Sequence, residues 1–166
     1  MVRTHLLALF FGLTSQVAAA GNQTIDDSSS DFTFSGSWQV NSCSKCSEQP
    51  ESGQAFNQTY HTNGNGVSAS TARLQFTGSA IWVYGILAPS EVQGGLTITL
   101  DSQSSVVYNS SGNSNSSFTY NELFFHASSL STFTHTLTLK TGPGDSGNSI
   151  ILDYAVVNTD FATSTP

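Results

Sequence analysis

Charge is scarce in this 166-residue chain: 9% of its residues are Asp, Glu, Lys or Arg, and 4 are basic. Nucleic acid and anionic membrane surfaces both require clustered Lys or Arg to offset phosphate charge, so neither is an expected partner. Cysteine is scarcer still, with Cys43 and Cys46 the 2 in the chain. A structural zinc module needs about four ligands and is excluded. No segment holds a helical period between caps, and no apolar run reaches the ~20 residues of a membrane-spanning helix. A G-x-S-x-G is missing, as is a glycine loop that follows a strand and opens a helix. With them go the nucleophile-elbow and phosphate-cradling signatures.

What is present is polar without being ionic, since Ser, Thr, Asn and Gly dominate the polar residues. The basic start Met1-Val2-Arg3-Thr4-His5, the apolar run Leu6 to Leu13 and the small residues Ala18-Ala19-Ala20 have the layout of a secretory signal peptide. The expected organisation is therefore a signal peptide over 1–20, a single domain over 21–160 and a Ser/Thr-rich tail over 161–166. The sequence stops at Pro166 without a lipid-anchor signal, so a secreted or wall-retained product is expected. Beyond the signal, Lys45, Arg73 and Lys140 stand against 11 acidic residues. In an oxidising compartment Cys43 and Cys46 are expected to close a small disulfide-clipped turn. A redox role needs a thioredoxin-like strand and helix, whereas Asn41-Ser42 and Ser47 to Pro50 read as loop. Sequons at Asn22, Asn57, Asn109 and Asn115 are candidate glycan sites.

From Ala72 onward the period is two. Ala72, Leu74 and Phe76 alternate with Arg73, Gln75 and Thr77; Leu96, Ile98 and Leu100 alternate with threonines, as do Phe133, His135, Leu137 and Leu139. These predict half-buried strands with a hydroxyl face toward water. Ala80 to Leu87 and Ser149 to Val157 lack a polar face and are expected as central strands covered on both sides, with Val106 to Tyr108 and Leu123 to Phe125 as shorter runs of that kind. Glycine- and asparagine-rich stretches separate them. Many short strands in one domain predict an all-β sandwich or jelly roll.

Several stretches in this order resemble a known family: Thr24 to Asp27, FTFSGSW over 32–38, the C-x-x-C, Tyr60-His61, FTGSAIWVYGIL over 76–87, Leu123 to Phe125, Thr134 to Leu139 and Leu152-Asp153-Tyr154. Together they resemble the extracellular domain of basidiomycete fungal surface proteins, itself similar to the galactose-binding-like jelly rolls of many carbohydrate-binding modules. The resemblance implies a secreted, non-catalytic module that binds extracellular or cell-wall carbohydrate. The alternative is a structural or protein-interaction component of the fungal surface that binds no free sugar.

Trp82 and Tyr84 share one side of their strand, and a sugar's apolar face can rest on such rings. A strand apolar on both faces is usually buried on both, so core is expected here rather than platform. Trp38, Tyr60, His61 and Tyr108 sit among Ser, Asn, Gln and Thr and are the ligand-binding candidates. Their structural alternatives are a lid over one end of the core for Trp38 and a strand-edge pair for Tyr60 and His61. In jelly-roll modules similar to this chain, an acidic N-terminal segment and an Asp on the last strand share a structural Ca²⁺. That resemblance makes Asp26, Asp27 and Asp153 candidate ligands, with solvated turn carboxylates and a locally hydrogen-bonded Asp153 as the alternative. A hydrolytic triad can be assembled on paper from Asp145, Ser146 and His126 or His135, but without a supporting motif, and no enzymatic activity is expected.

Overall fold

The computed structural model describes residues 21–41, 49–63, 69–89, 95–109, 117–142 and 150–160. The expected signal peptide, Cys43 and Cys46, Asn115, Asp145, Ser146 and the 161–166 tail lie outside the described residues. Among the described residues the strands are β1 (Asn22–Asp26), β2 (Phe32–Ser35), β3 (Gln39–Asn41), β4 (Tyr60–Thr62), β5 (Thr71–Thr77) and β6 (Ala80–Leu87). They continue with β7 (Gly95–Leu100), β8 (Val106–Asn109), β9 (Thr119–Ser128), β10 (Thr134–Thr141) and β11 (Ile151–Asn158). Two 3₁₀ turns, Ser52–Gln54 and Phe56–Gln58, precede β4.

The first sheet has the order β3-β4-β11-β6-β9, and β1 also pairs with β11. β4 meets β11 at Ile151 and Leu152, and β1 takes over from Tyr154 to Asn158. The second sheet has the order β2-β5-β10-β7-β8. All pairings are antiparallel. The inward positions of both sheets, among them Leu74, Ile81, Val83, Leu96, Ile98, Leu137 and Leu139, form one buried core. This is the β-sandwich jelly roll that the alternation predicts.

The second sheet follows its sequence pattern closely. Ala72, Leu74 and Phe76 of β5 are buried while Arg73, Gln75 and Thr77 are exposed. Across the two sheets, four apolar positions depart from expectation. Phe133 is 76% exposed because β10 begins one residue later, at Thr134. Val106 and Val107 are 55% and 57% exposed because β8 is an edge strand and is not covered on both sides. Leu123, on the edge strand β9, is 44% exposed for the same reason.

Two irregularities in the first sheet place side chains that a regular ladder would not. In β11 the register with β6 shifts between Leu152 and Tyr154, so Asp153 is the inserted residue of a bulge. Bulges re-aim the extra side chain and sharpen the local twist. In β9 the register shifts between the Val83–Phe125 and Tyr84–Leu123 pairs, which turns Phe124 inward. Its ring fills the space that a side chain on Gly85 would take: a Cβ there would overlap the Phe124 ring and the Ile151 carbonyl.

Candidate functional site

The four expected ligand residues do not meet. Tyr60 and His61 are consecutive on β4 and so point to opposite faces. Tyr60 is 0% exposed; it packs with Ala55, Ile86 and Ile151 in a small second core under the 49–59 segment, and its hydroxyl donates to the Pro50 carbonyl at 2.9 Å. A ring sealed in this way touches no ligand, which corrects the binding role expected for Tyr60. His61 faces the other way and stacks on Phe34, with centroids 3.8 Å apart and planes at 7°. Trp38 leans on the same Phe34 at 5.5 Å and packs on the main core, as the lid alternative describes. Tyr108 is far from all three in the sheet order. It bridges the sheets, with its ring 4.8 Å from Phe124 and its hydroxyl donating to Glu122 at 3.1 Å. Burial and the neighbouring Glu122 carboxylate both push the Tyr108 phenol above its ordinary pKa, so it stays a neutral donor.

The rings that do converge are those expected in the core. Trp82 and Tyr84 lie on the outer face of β6 and are only half-buried, because among the described residues no third layer covers the first sheet. Trp82 stacks on His126 of β9 at 4.9 Å and 21°. Tyr84 stacks on Tyr154 of β11 at 4.8 Å and 21°, and Tyr154 in turn carries Phe56 at 5.2 Å. Register explains both stacks, since Trp82 faces His126 and Tyr84 faces Tyr154 directly across the ladder. The result is a row of rings across the face, ending at the 49–59 segment and fringed by polar groups such as the Tyr154 hydroxyl, which donates to Asn121 at 3.0 Å. A row of flat apolar surfaces with hydrogen-bonding edges offers what a sugar ring needs. Elsewhere, a polar depression of about 320 Å³ between β1 and β5 is lined by Gln23, Asp31, Gln75 and Thr134, but the ring in its lining, Phe76, is 5% exposed.

Beside this face lies an acidic corner. The bulge at Asp153 turns its carboxylate toward the 49–59 segment, where the Phe56 N–H donates to Oδ1 at 2.9 Å; the Asp153 carbonyl accepts from the Asp27 N–H at 3.0 Å. Asp27, 0% exposed, accepts from the Thr59 hydroxyl at 2.8 Å and lies 2.5 Å from His61 Nδ1. Asp26 Oδ2 accepts from Asn57 and Thr59, both at 3.3 Å. Asp26 Oδ1 and Asp153 Oδ2 are buried and have no partner among the described residues. Burial raises the Asp27 carboxyl above its ordinary range against the pull of His61 and Thr59. Burial, with Asp27 and Asp26 adding like charge, pushes Asp153 up to about 7. Sequence reasoning brought these carboxylates together, but Asp27 spends its oxygens on Thr59 and His61. Among the described residues no group of three or more His, Cys, Asp or Glu is arranged to hold a metal ion. The two unpartnered oxygens of Asp26 and Asp153 are the part of the expected set that suits a hard cation.

A second His–Asp pair escaped sequence reasoning. His135 Nδ1 lies 2.5 Å from Asp101 Oδ2, Asp101 Oδ1 accepts from the Thr136 N–H at 2.7 Å, and the other His135 nitrogen is 3.0 Å from the Ser131 carbonyl. Asp101 and Ser102 adopt φ of 50° and 61°. The pair thus fastens the left-handed turn after β7 to β10 and is structural.

The sequence matches no protein-family model and no curated protein. Solved structures do resemble it. A two-domain esterase active on acetylated mannans, co-crystallized with mannopentaose, superposes with a TM-score of 0.60 at 9% identity over 90% of this chain and 40% of that one. The Agl-KA catalytic domain gives 0.56 at 12% identity over 98% and 31%. A family two carbohydrate esterase from Cellvibrio japonicus gives 0.54 at 10% identity over 86% and 35%. The chain therefore spans 31–40% of the length of these structures. The likeness establishes the fold. It also corrects the expectation of no enzymatic activity, because solved chains that share this fold include carbohydrate esterases and an α-1,3-glucanase catalytic domain, so the fold occurs in carbohydrate enzymes.

Proposed function

We propose that this domain binds extracellular or cell-wall carbohydrate on the outer face of its first sheet, and that it is a secreted protein. The observation that carries the reading is the row formed by the stacked pair Trp82–His126 and the group Tyr84–Tyr154–Phe56, five half-buried or exposed rings on one face with no described layer above them. Leaving such apolar surface in water costs about 25 cal/mol per Å². Sugar rings would cover it while their hydroxyls keep water or meet the polar fringe. The occurrence of this sandwich in an esterase active on acetylated mannans and in an exo-β-1,3-galactanase supports a glycan partner. A structural component of a fungal surface is the competing reading. Retention of the purified domain on insoluble mannan, galactan and glucan, with soluble polymer as competitor, separates the two: competable retention supports binding, and none on any polymer sinks it.

The acidic corner favours a structural role for a cation beside this activity. Asp26 and Asp153 each present a buried oxygen without a described partner, and Ca²⁺ favours carboxylate and carbonyl oxygens. A bound Ca²⁺ would neutralise the corner and tie β1 to the bulge of β11. Because an ion that binds only the folded state raises the unfolding midpoint, melting in calcium against chelator tests it; an unchanged midpoint removes the site.

A further inference from the structure

The sequon Asn57-Gln58-Thr59 begins one residue after Phe56, the last ring of the row. Asn57 is exposed and sits at φ 47°, in a turn that carries its side chain back toward β1. Its amide nitrogen lies 3.3 Å from Asp26 Oδ2. Asp26 is the cross-strand partner of Tyr154, and Tyr154 carries the Phe56 ring at 5.2 Å. The attachment atom of the sequon is thus hydrogen-bonded to the residue that faces Tyr154 across the ladder, one residue on from Phe56.

We propose that an N-linked glycan on Asn57 folds over Phe56 and Tyr154 and occupies that end of the ring row as a built-in saccharide ligand. The proposal rests on the reading of this face as a sugar platform. Attachment forms a bond from Asn57 Nδ2 to the anomeric carbon of a pyrophosphate-linked oligosaccharide donor. The carbon–oxygen bond to the donor breaks, the pyrophosphate leaves with the electron pair, and the amide gives up one proton. The second N–H remains to donate to Asp26, so the attached sugar is still steered along β1 toward Tyr154. The glycan then covers part of the apolar row and competes with external polysaccharide for the rest.

The test is a double-mutant cycle of Phe56→Ala and Asn57→Gln, made once in a host that N-glycosylates and once in bacteria. In the glycosylating host, mass spectrometry should find Asn57 occupied, and the glycan should raise the melting midpoint by about 2–4 °C only when Phe56 is present. The bacterial cycle should show no such coupling. Asn57→Gln from the glycosylating host should be retained on insoluble mannan or galactan about threefold more strongly than the wild type. An unmodified Asn57, coupling equal in the two hosts, or retention unchanged by Asn57→Gln overturns the proposal. If no form of the protein is retained on any polymer, the sugar-binding reading fails instead, and the coupling alone decides where the glycan lies.

Discussion

The outer faces of the two sheets are made by strands of the same alternation and carry opposite chemistry. On the second sheet, Arg73 lies beside Thr138, Thr138 beside Thr99, and Lys140 beside Thr97, a field of hydroxyls that holds both described basic side chains. On the first sheet the equivalent positions are Trp82, Tyr84, Tyr154 and His126. Threonine at a strand surface keeps its water and its β-propensity together. Stacked rings give up solubility unless something covers them, and a contiguous exposed apolar surface of this sort marks an interaction site. The second sheet's face is finished by solvent, and the first sheet's face presents rings that the proposed carbohydrate would cover.

The largest effect is expected from breaking the ring face from beneath. Gly85→Ala places a methyl group against the Phe124 ring and the Ile151 carbonyl. One of these is backbone that cannot swing aside, so a loss of ~3 kcal/mol is expected in a denaturant titration. Gly95→Ala on the second sheet meets its nearest atom at 3.9 Å and should cost less than ~0.5 kcal/mol. Equal effects would show that the inward turn of Phe124 is misplaced.

The acidic corner should come next. With chelator present, Asp153 has a folded pKa of about 7, above its unfolded value, so its contribution to stability is complete below roughly pH 4 and is lost as pH rises toward 7. Asp27, also raised, acts in the same direction. A fall of roughly 2 kcal/mol between pH 4 and 7 is expected, flattened by Asp153→Asn, which keeps an acceptor for the Phe56 N–H. Saturating calcium should flatten the same slope in the wild type. A slope that survives Asp153→Asn would assign it to other groups.

The comparison of faces is sharpened most directly by ring removal. Trp82→Ala and Tyr84→Ala should each weaken retention on the polymer that binds best by about tenfold, equivalent to ~1.4 kcal/mol. Thr97→Ala and Thr138→Ala, on the opposite face, should change it less than about twofold. Losses of similar size on both faces would remove the ring row as the site.

The difference between the faces also decided what could be read from the sequence. Thr alternating with Leu in β7 and β10 identifies a half-buried strand without ambiguity, and within those two strands the burial is as expected down to the buried Leu137 and Leu139. In β6 the outward residues are aromatic, so Trp82 and Tyr84 are indistinguishable by period from core residues. Only the strand order, which leaves their face uncovered among the described residues, tells them apart. Asp153 was recognisable as a charge out of place in an apolar strand. The bulge that accommodates it depends on its register with β6, and that is a long-range property. Asp101 and His135 could not be paired from sequence because 34 residues and a change of strand separate them. Tyr60 looked like a loop residue from its polar neighbours; the 49–59 segment that seals it is placed by tertiary packing.

The smallest expected effect distinguishes the two acid–histidine arrangements by the sign of their pH dependence. Burial opposes the charged forms of Asp101 and His135, yet the Thr136 N–H and His135 hold Asp101 below its ordinary range, and Asp101 with the Ser131 carbonyl holds His135 above its own. The Asp101 contribution is therefore present above its unfolded value near ~3.9 and lost only as pH falls lower. The His135 contribution is complete below ~6.5 and lost as pH rises through its higher folded value. Between those limits the clamp is flat with pH, whereas the corner at Asp153 declines. Asp101→Asn should cost ~0.5–1 kcal/mol near pH 5.5, since one partner is partly solvated, and should leave the slope between pH 4 and 6 unchanged. Thermal melts of wild type, Asp101→Asn and Asp153→Asn across pH 4–8 read both effects. If Asp101→Asn flattens the low-pH slope as Asp153→Asn does, the pH response belongs to the second sheet and the contrast between the two regions is lost.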